Sequence, residues 1–168
     1  MPPDPPHLIA VARLLLSAGT APPTEAQLRR AVSTAYYALF HKVSRAGADR
    51  FMGSDSEARA GYALLYRGFN HGRMRSICKS LDVPQFKDEL RRQLGKDAVS
   101  QDARDFATDF ATLQDARHSA DYDPRAAFSP SDVSTLIEMA DHGLAAFGRI
   151  DLDEQADILA LMLVRARS

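Results

Sequence analysis

Arg117 is the side chain whose position most needs an explanation. Ala103, Phe106, Phe110 and Leu113 recur at the three-and-four spacing of one helix face, and the same spacing carries the stripe straight onto Arg117. A guanidinium then stands where a core residue belongs, and burying it unpaired is costly enough that it must meet a carboxylate, backbone carbonyls, a partner chain or a phosphate. Two readings are open. Asp121, four residues on, makes an i,i+4 ion pair that merely closes the structure, or Arg117 is a phosphate-binding arginine at a cleft or dimer seam. His118 and Tyr122 lie in the same segment.

On an earlier helix, Arg30, Tyr37 and His41 share a face at spacings of seven and four, bordered by Ser33 and Ser44. Such a face is ordinarily solvated. Tyr36, however, belongs to an apolar stripe, which sends Tyr37 away from it toward another surface, the habit of an amphipathic aromatic at an interface. Between Glu57 and Asp82 every charged residue is basic: Arg59, Arg67, Arg73, Arg75 and Lys79, with His71 among them. That segment either tracks a phosphate backbone or matches an acidic face elsewhere in the fold. Asp102, Asp105 and Asp109 line one helix face, and Glu138, Asp141 and His142 another. The Glu-x-x-His signature of carboxylate-bridged bundles is missing, so no metal and no cofactor is expected. There is no Walker loop, no Gly-x-Ser-x-Gly elbow and no nucleophilic-cysteine signature.

The elements that must position these residues are helical throughout. Pro5 and Pro6 open a first helix and Gly19 closes it. Thr24 and Gln27 form a capping box for a long second helix with a stripe of Leu28, Ala31, Val32, Ala35, Tyr36, Leu39, Phe40 and Val43, ending about Ala46, with Gly47 and Gly53 marking the exit. Ser54 and Glu57 form a second box ahead of a helix through Tyr62 and Leu65, and Gly68 and Gly72 weaken its continuation. A shorter helix holds Met74, Ile77, Cys78 and Leu81 before Val83-Pro84, another spans about Gln85 to Leu94, and Gly95 ends it. A long helix runs from about Ser100 to Asp121. Ser129-Pro130-Ser131-Asp132 starts the last long one, striped by Val133, Leu136, Ile137, Ala140, Leu144 and Phe147. The tail, 151–168, adds an amphipathic helix with acids at its start and Arg165 and Arg167 at its end. The expected architecture is all-α: an antiparallel up-and-down helical bundle of four or more long helices with shorter accessory helices, in one domain over 1–168.

Composition bounds the function. With 168 residues, 45% of them apolar and 26% charged, the chain is long enough to fold around its own core. A net charge of -1 excludes a uniformly basic nucleic-acid binder, so any such role is local. The lone Cys78 forms no internal disulfide and suits a reducing cytoplasm. Arg13 interrupts the apolar N-terminal stretch, which lacks a basic leader and reads as a core helix, and no run is long enough to span a bilayer. A soluble, cytoplasmic protein with no membrane partner is expected.

Two stretches resemble the HEPN superfamily: Leu28-Arg29-Arg30-Ala31-Val32-Ser33-Thr34-Ala35-Tyr36-Tyr37-Ala38-Leu39-Phe40-His41, and Arg117-His118-Ser119-Ala120-Asp121-Tyr122-Asp123-Pro124. The resemblance covers about residues 8–150. It implies an up-and-down bundle that dimerises, with polar residues of the two late helices meeting across the seam. Many such proteins are metal-independent ribonucleases in which four to six residues separate the arginine from a histidine, and others bind nucleotides or partner a nucleotidyltransferase. Here that window holds Tyr122, Asp123 and Pro124, which is similar to the Arg-x-x-x-Asp-Tyr variants of the superfamily. His118 lies about 100° round the helix from Arg117. The resemblance therefore implies a homodimer that binds RNA or a nucleotide phosphate, a ribonuclease candidate of a toxin–antitoxin or stress-response pair. In it Arg117, His118, Asp121 and Tyr122 are the candidate catalytic residues, with His118 or His41 as base. Arg30, Tyr37, His41, Arg67, His71, Arg73, Arg75 and Lys79 are the phosphate contacts. The alternative is a non-enzymatic module that docks on a nucleotidyltransferase or another cell component.

Overall fold

The computed structural model describes residues 3–17, 21–56 and 58–164. Among them are eight α-helices and a single 3-10 turn, with no strand: α1 (Pro5–Ser17), α2 (Glu25–Met52), the turn Ser54–Ser56, α3 (Ala60–Gly68), α4 (His71–Leu81), α5 (Asp88–Leu94), α6 (Gln101–Tyr122), α7 (Pro130–Arg149) and α8 (Leu152–Leu163). The expected all-helical bundle is what forms. No helix among the described residues is long and apolar enough to cross a membrane.

Four helices make the central bundle, α1, α2, α6 and α7, and α4 packs on α6 beside it. The contacts fix the directions. Arg29 near the start of α2 reaches Ala120 near the end of α6, while Tyr36 meets Gln114, so the two helices run antiparallel. Asp109 meets His142 and Asp102 meets Arg149, so α6 and α7 are antiparallel as well. Tyr36, Phe106, Phe110 and Phe147 are the largest fully buried side chains, and they hold the three helices together in one core.

Where the start signals are local, they act as read. The Thr24 side chain accepts from Gln27 N–H while Gln27 accepts from Thr24 N–H, and Ser129 and Asp132 repeat the arrangement for α7. Gly95 closes α5 in the left-handed region at φ +66°, where a Cβ is strained. Three boundaries differ from expectation, one of them the start of α5, which lies at Asp88 and not near Gln85. Helix α2 does not end near Ala46: it runs through Gly47 to Met52, because the Phe69 ring lies against Gly47, leaving no room for a Cβ, and Gly53 at φ +86° is the residue that ends it. The helix after Ser54 begins only at Ala60, on Arg59 without a side-chain cap, because Ser54–Ser56 is a 3-10 turn. Gly19, Glu57, Arg165 and Arg167, which entered the expected boundaries, lie outside the described residues.

Candidate functional site

Arg117 projects from the last turns of α6 toward α2, with only 12% of its side chain exposed. Its Nε sits 2.7 Å from Oδ2 of Asp121, the expected i,i+4 pair, although the N–H is not aligned on the oxygen, so the contact is coulombic rather than a directed hydrogen bond. Nη2 donates to the Tyr37 hydroxyl at 3.0 Å. The guanidinium carbon lies 5.6 Å from the Tyr37 ring centre and 5.4 Å from that of Tyr122, both within cation–π range. Burial works against the charge, and the Tyr37 contact and Asp121 outweigh it, so Arg117 holds its proton more firmly than an ordinary arginine. Asp121 is tied in turn by Ser33, whose hydroxyl donates to Oδ1 at 2.6 Å. The surface that Tyr37 seeks is thus supplied by its own chain.

Around Tyr37 the structure assembles two histidines. His41 stacks on it at 5.8 Å between ring centres and His71 meets it edge-on at 6.0 Å. His71 enters from the first residue of α4, where the preceding Asn70 caps the helix by accepting from Arg73 N–H. Its ring stacks on Phe40 at 4.1 Å, and its Nδ1 lies 2.5 Å from the Tyr36 hydroxyl. That hydroxyl gives its one proton to Oε1 of Gln114, 2.7 Å away. Tyr36 can therefore only accept from His71, which fixes the proton on Nδ1 and leaves Nε2 with a free lone pair. On the other side, Nδ1 of His41 is 2.5 Å from the Tyr66 hydroxyl of α3, and the two rings are stacked. Burial lowers the pKa of both histidines, with Arg117 and His41 adding to the effect on His71, so both are neutral at pH 7. Burial pushes Tyr66 up to about 12 against the opposing Arg45, and lifts Tyr36 well above the usual phenol range.

The cluster therefore combines a fixed cation, two neutral imidazoles and aromatic faces, contributed by α2, α3, α4 and α6. Such a set can hold a phosphate, stack a base and accept a proton. His118 and Tyr122 stand at its exposed rim, ring against ring at 5.1 Å, and Tyr122 is 65% exposed.

Other singled-out residues lie elsewhere. Arg30 and Arg67 are exposed. Arg73 donates to the carbonyls of Leu161, Met162 and Val164, closing the C-terminal end of α8. Arg75 and Lys79 both pair with Asp115 on α6, so the basic run of the sequence is matched by an acid and by backbone oxygens from other helices. Cys78 is fully buried in the core. His142 contacts the mostly buried Asp109 at 2.6 Å on the α6–α7 seam, but among the described residues no three His, Cys, Asp or Glu side chains converge as metal ligands would.

Three members of the arrangement escape a reading of the sequence. Gln114 and Tyr66 carry no spacing signal. Arg29 carries a weak one: it adjoins Arg30 but inclines toward the core side, where it bonds the carbonyls of Ala120, Asp123 and Ala126 and seals the end of α6 that presents Arg117. Compared with protein-family models, with curated proteins and with solved structures, the chain finds no match.

Proposed function

We propose that the protein is a HEPN-like phosphate-binding protein whose ligand is single-stranded RNA or a nucleotide, held at the Arg117–Tyr37–His71–His41 cluster. The observation that carries the reading is the convergence of these four side chains, from three helices, on one half-buried patch. The two segments that resemble HEPN proteins are the ones that meet there. A purely structural arginine needs Asp121 alone. It does not need two imidazoles with unused nitrogens or an exposed tyrosine against its open side.

The cluster also has the parts for metal-independent RNA cleavage. A 2′-hydroxyl would attack its own phosphorus, losing its proton to Nε2 of His71. The bond to the 5′-oxygen would break as the imidazolium so formed returns its proton to that oxygen, giving a 2′,3′-cyclic phosphate and a 5′-hydroxyl end. Arg117 would offset the charge that develops on the phosphoryl oxygens. A role in a toxin–antitoxin or stress-response pair, a cytoplasmic location and a homodimer belong to the same reading. The alternative, a non-enzymatic module partnering a nucleotidyltransferase, would use the same Tyr122 and His118 rim as a docking surface.

The test is binding and cleavage of a labelled single-stranded oligoribonucleotide by wild type and by Arg117→Met. Expected is at least a tenfold loss of affinity in the variant with helical circular dichroism unchanged. A folded Arg117→Met protein that binds and cleaves as wild type does would sink the site. Sedimentation at micromolar concentration should give twice the 18.5 kDa monomer, and a monomer alone would remove the dimer.

A further inference from the structure

We propose that anion binding at the Arg117 cluster is coupled to proton uptake: a phosphate held there draws a proton onto His71 or His41, so the site grips its ligand more tightly as the solution acidifies. The inference rests on the phosphate-binding reading above and adds to it a form of regulation.

The geometry carries the argument. Tyr37 is the hub, with its ring centre 5.6 Å from the Arg117 guanidinium carbon, 5.8 Å from His41 and 6.0 Å from His71. Each imidazole has Nδ1 bound to a tyrosine hydroxyl, Tyr36 for His71 and Tyr66 for His41. Among the described residues no hydrogen bond engages Nε2 of either ring. With both ring nitrogens protonated, Nε2–H is a donor with no acceptor among the described residues, beside a permanent cation. The groups facing the pair do not relieve this. From α2 they are Tyr36, Tyr37 and Arg45, the last acting on Tyr66; from α3, Tyr66 itself; from α4, buried Cys78; from α6, Arg117, Gln114, Tyr122 and Asp121. Asp121 is the one carboxylate among them, and it is already shared by Arg117 and Ser33. The protein's own groups consequently resist a second positive charge there, and the lowered histidine pKa values agree with that.

A phosphate reverses the balance. It supplies negative charge and acceptor oxygens at Nε2, where no described residue offers an acceptor, so the protonated imidazole becomes the better partner for it. Linkage then requires that what raises the histidine pKa binds more tightly at lower pH, with a slope equal to the number of protons taken up. One proton gives up to about a tenfold gain in affinity per pH unit lost.

Sulfate is the probe of choice, because it remains a dianion from about pH 8 to about pH 5 and any pH dependence belongs to the protein. Titration calorimetry of the full chain in two buffers of different ionisation enthalpy, near the ordinary histidine value of 6.5, reads proton uptake directly. Expected is uptake approaching one proton per sulfate in wild type and a clear reduction in His71→Gln or His41→Gln. Arg117→Met serves as the control for sulfate held elsewhere on the chain. Zero uptake where sulfate binds overturns the proposal. Should the histidine variants lose their helical circular dichroism, the wild-type uptake and the NMR titration of the His41 and His71 ring protons decide alone, and ring protons that do not move on adding sulfate overturn it equally. Oligoribonucleotides with and without a 5′-phosphate separate the sources of the anion. Arg117-dependent RNA binding that ignores pH would leave the proposed function standing and remove this inference. Proton-linked sulfate binding without RNA binding would do the reverse.

Discussion

Arg117 is held from three sides, and the contributions are separable by substitution. Removing the guanidinium leaves the Asp121 carboxylate, but that carboxylate keeps the Ser33 hydroxyl and is 27% exposed, so its loss is smaller than the 3–5 kcal/mol typical of a broken, fully buried pair. Arg117→Ala should cost about 2 kcal/mol in urea unfolding followed by circular dichroism, and Arg117→Met less, since its thioether chain refills the space against Tyr37. Tyr37→Phe keeps the ring over the guanidinium and loses only the hydroxyl acceptor, a cost of about 1 kcal/mol. An Arg117→Ala protein as stable as wild type would mean that the pair behaves like an exposed one and that the arginine contributes nothing to the fold. The sequence shows Arg117 and its Asp121 partner through the stripe and the i,i+4 spacing. It shows Tyr37 only as a side chain off the core face, because nothing in α2 alone says that the face opposite belongs to α6.

At the scale of elements, signals confined to a few residues are legible and those that depend on a distant side chain are not. Thr24 with Gln27 and Ser129 with Asp132 start helices because both halves of each capping box lie within one turn. Gly47 reads as an exit because glycine in a helix costs about 1 kcal/mol relative to alanine. Its reason for standing mid-helix is the Phe69 ring, far along the chain: a Cβ at Gly47 would lie 2.2 Å from Cζ of Phe69. Gly47→Ala should therefore destabilise, by about 2–3 kcal/mol, where intrinsic helix propensity alone would have it stabilise. Phe69→Leu in the same chain should recover part of that loss, and a double-mutant cycle with no coupling would show that the ring moves aside freely. Arg29 gives a second case. Its guanidinium serves carbonyls of Ala120, Asp123 and Ala126 at once, so Arg29→Lys, which keeps the charge but not the fork, should fray the end of α6 and quicken amide exchange at Ser119–Asp123.

For the whole molecule, the bundle is readable because amphipathic stripes and short connectors leave few ways to pack, whereas the site is not, because it depends on α4 delivering His71 onto α2. In the sequence His71 is one member of a basic run, and only the fold separates it from Arg73, which closes α8, and from Arg75 and Lys79, which meet Asp115. The same delivery gives the ligand-free protein a pH dependence whose sign can be worked out. His41 and His71 have folded-state pKa values below the ordinary 6.5, chiefly from burial, so between those values and 6.5 the unfolded chain binds more protons than the folded one. Stability from these groups is fully present above about pH 6.5 and is lost as pH falls through their folded values. Asp109 works oppositely: burial raises its pKa above the ordinary carboxylate value against the pull of His142, so it takes up a proton on folding and favours the folded state at lower pH. Because the two contributions oppose each other, the histidine part is read from the difference between wild type and His71→Gln. The thermal midpoint should accordingly drop between about pH 7 and pH 5, and His71→Gln should flatten that part of the profile. A His71→Gln profile that parallels the wild type over this interval would show that the fold does not keep this imidazole neutral, and that Tyr36 accommodates the protonated ring as readily as water does.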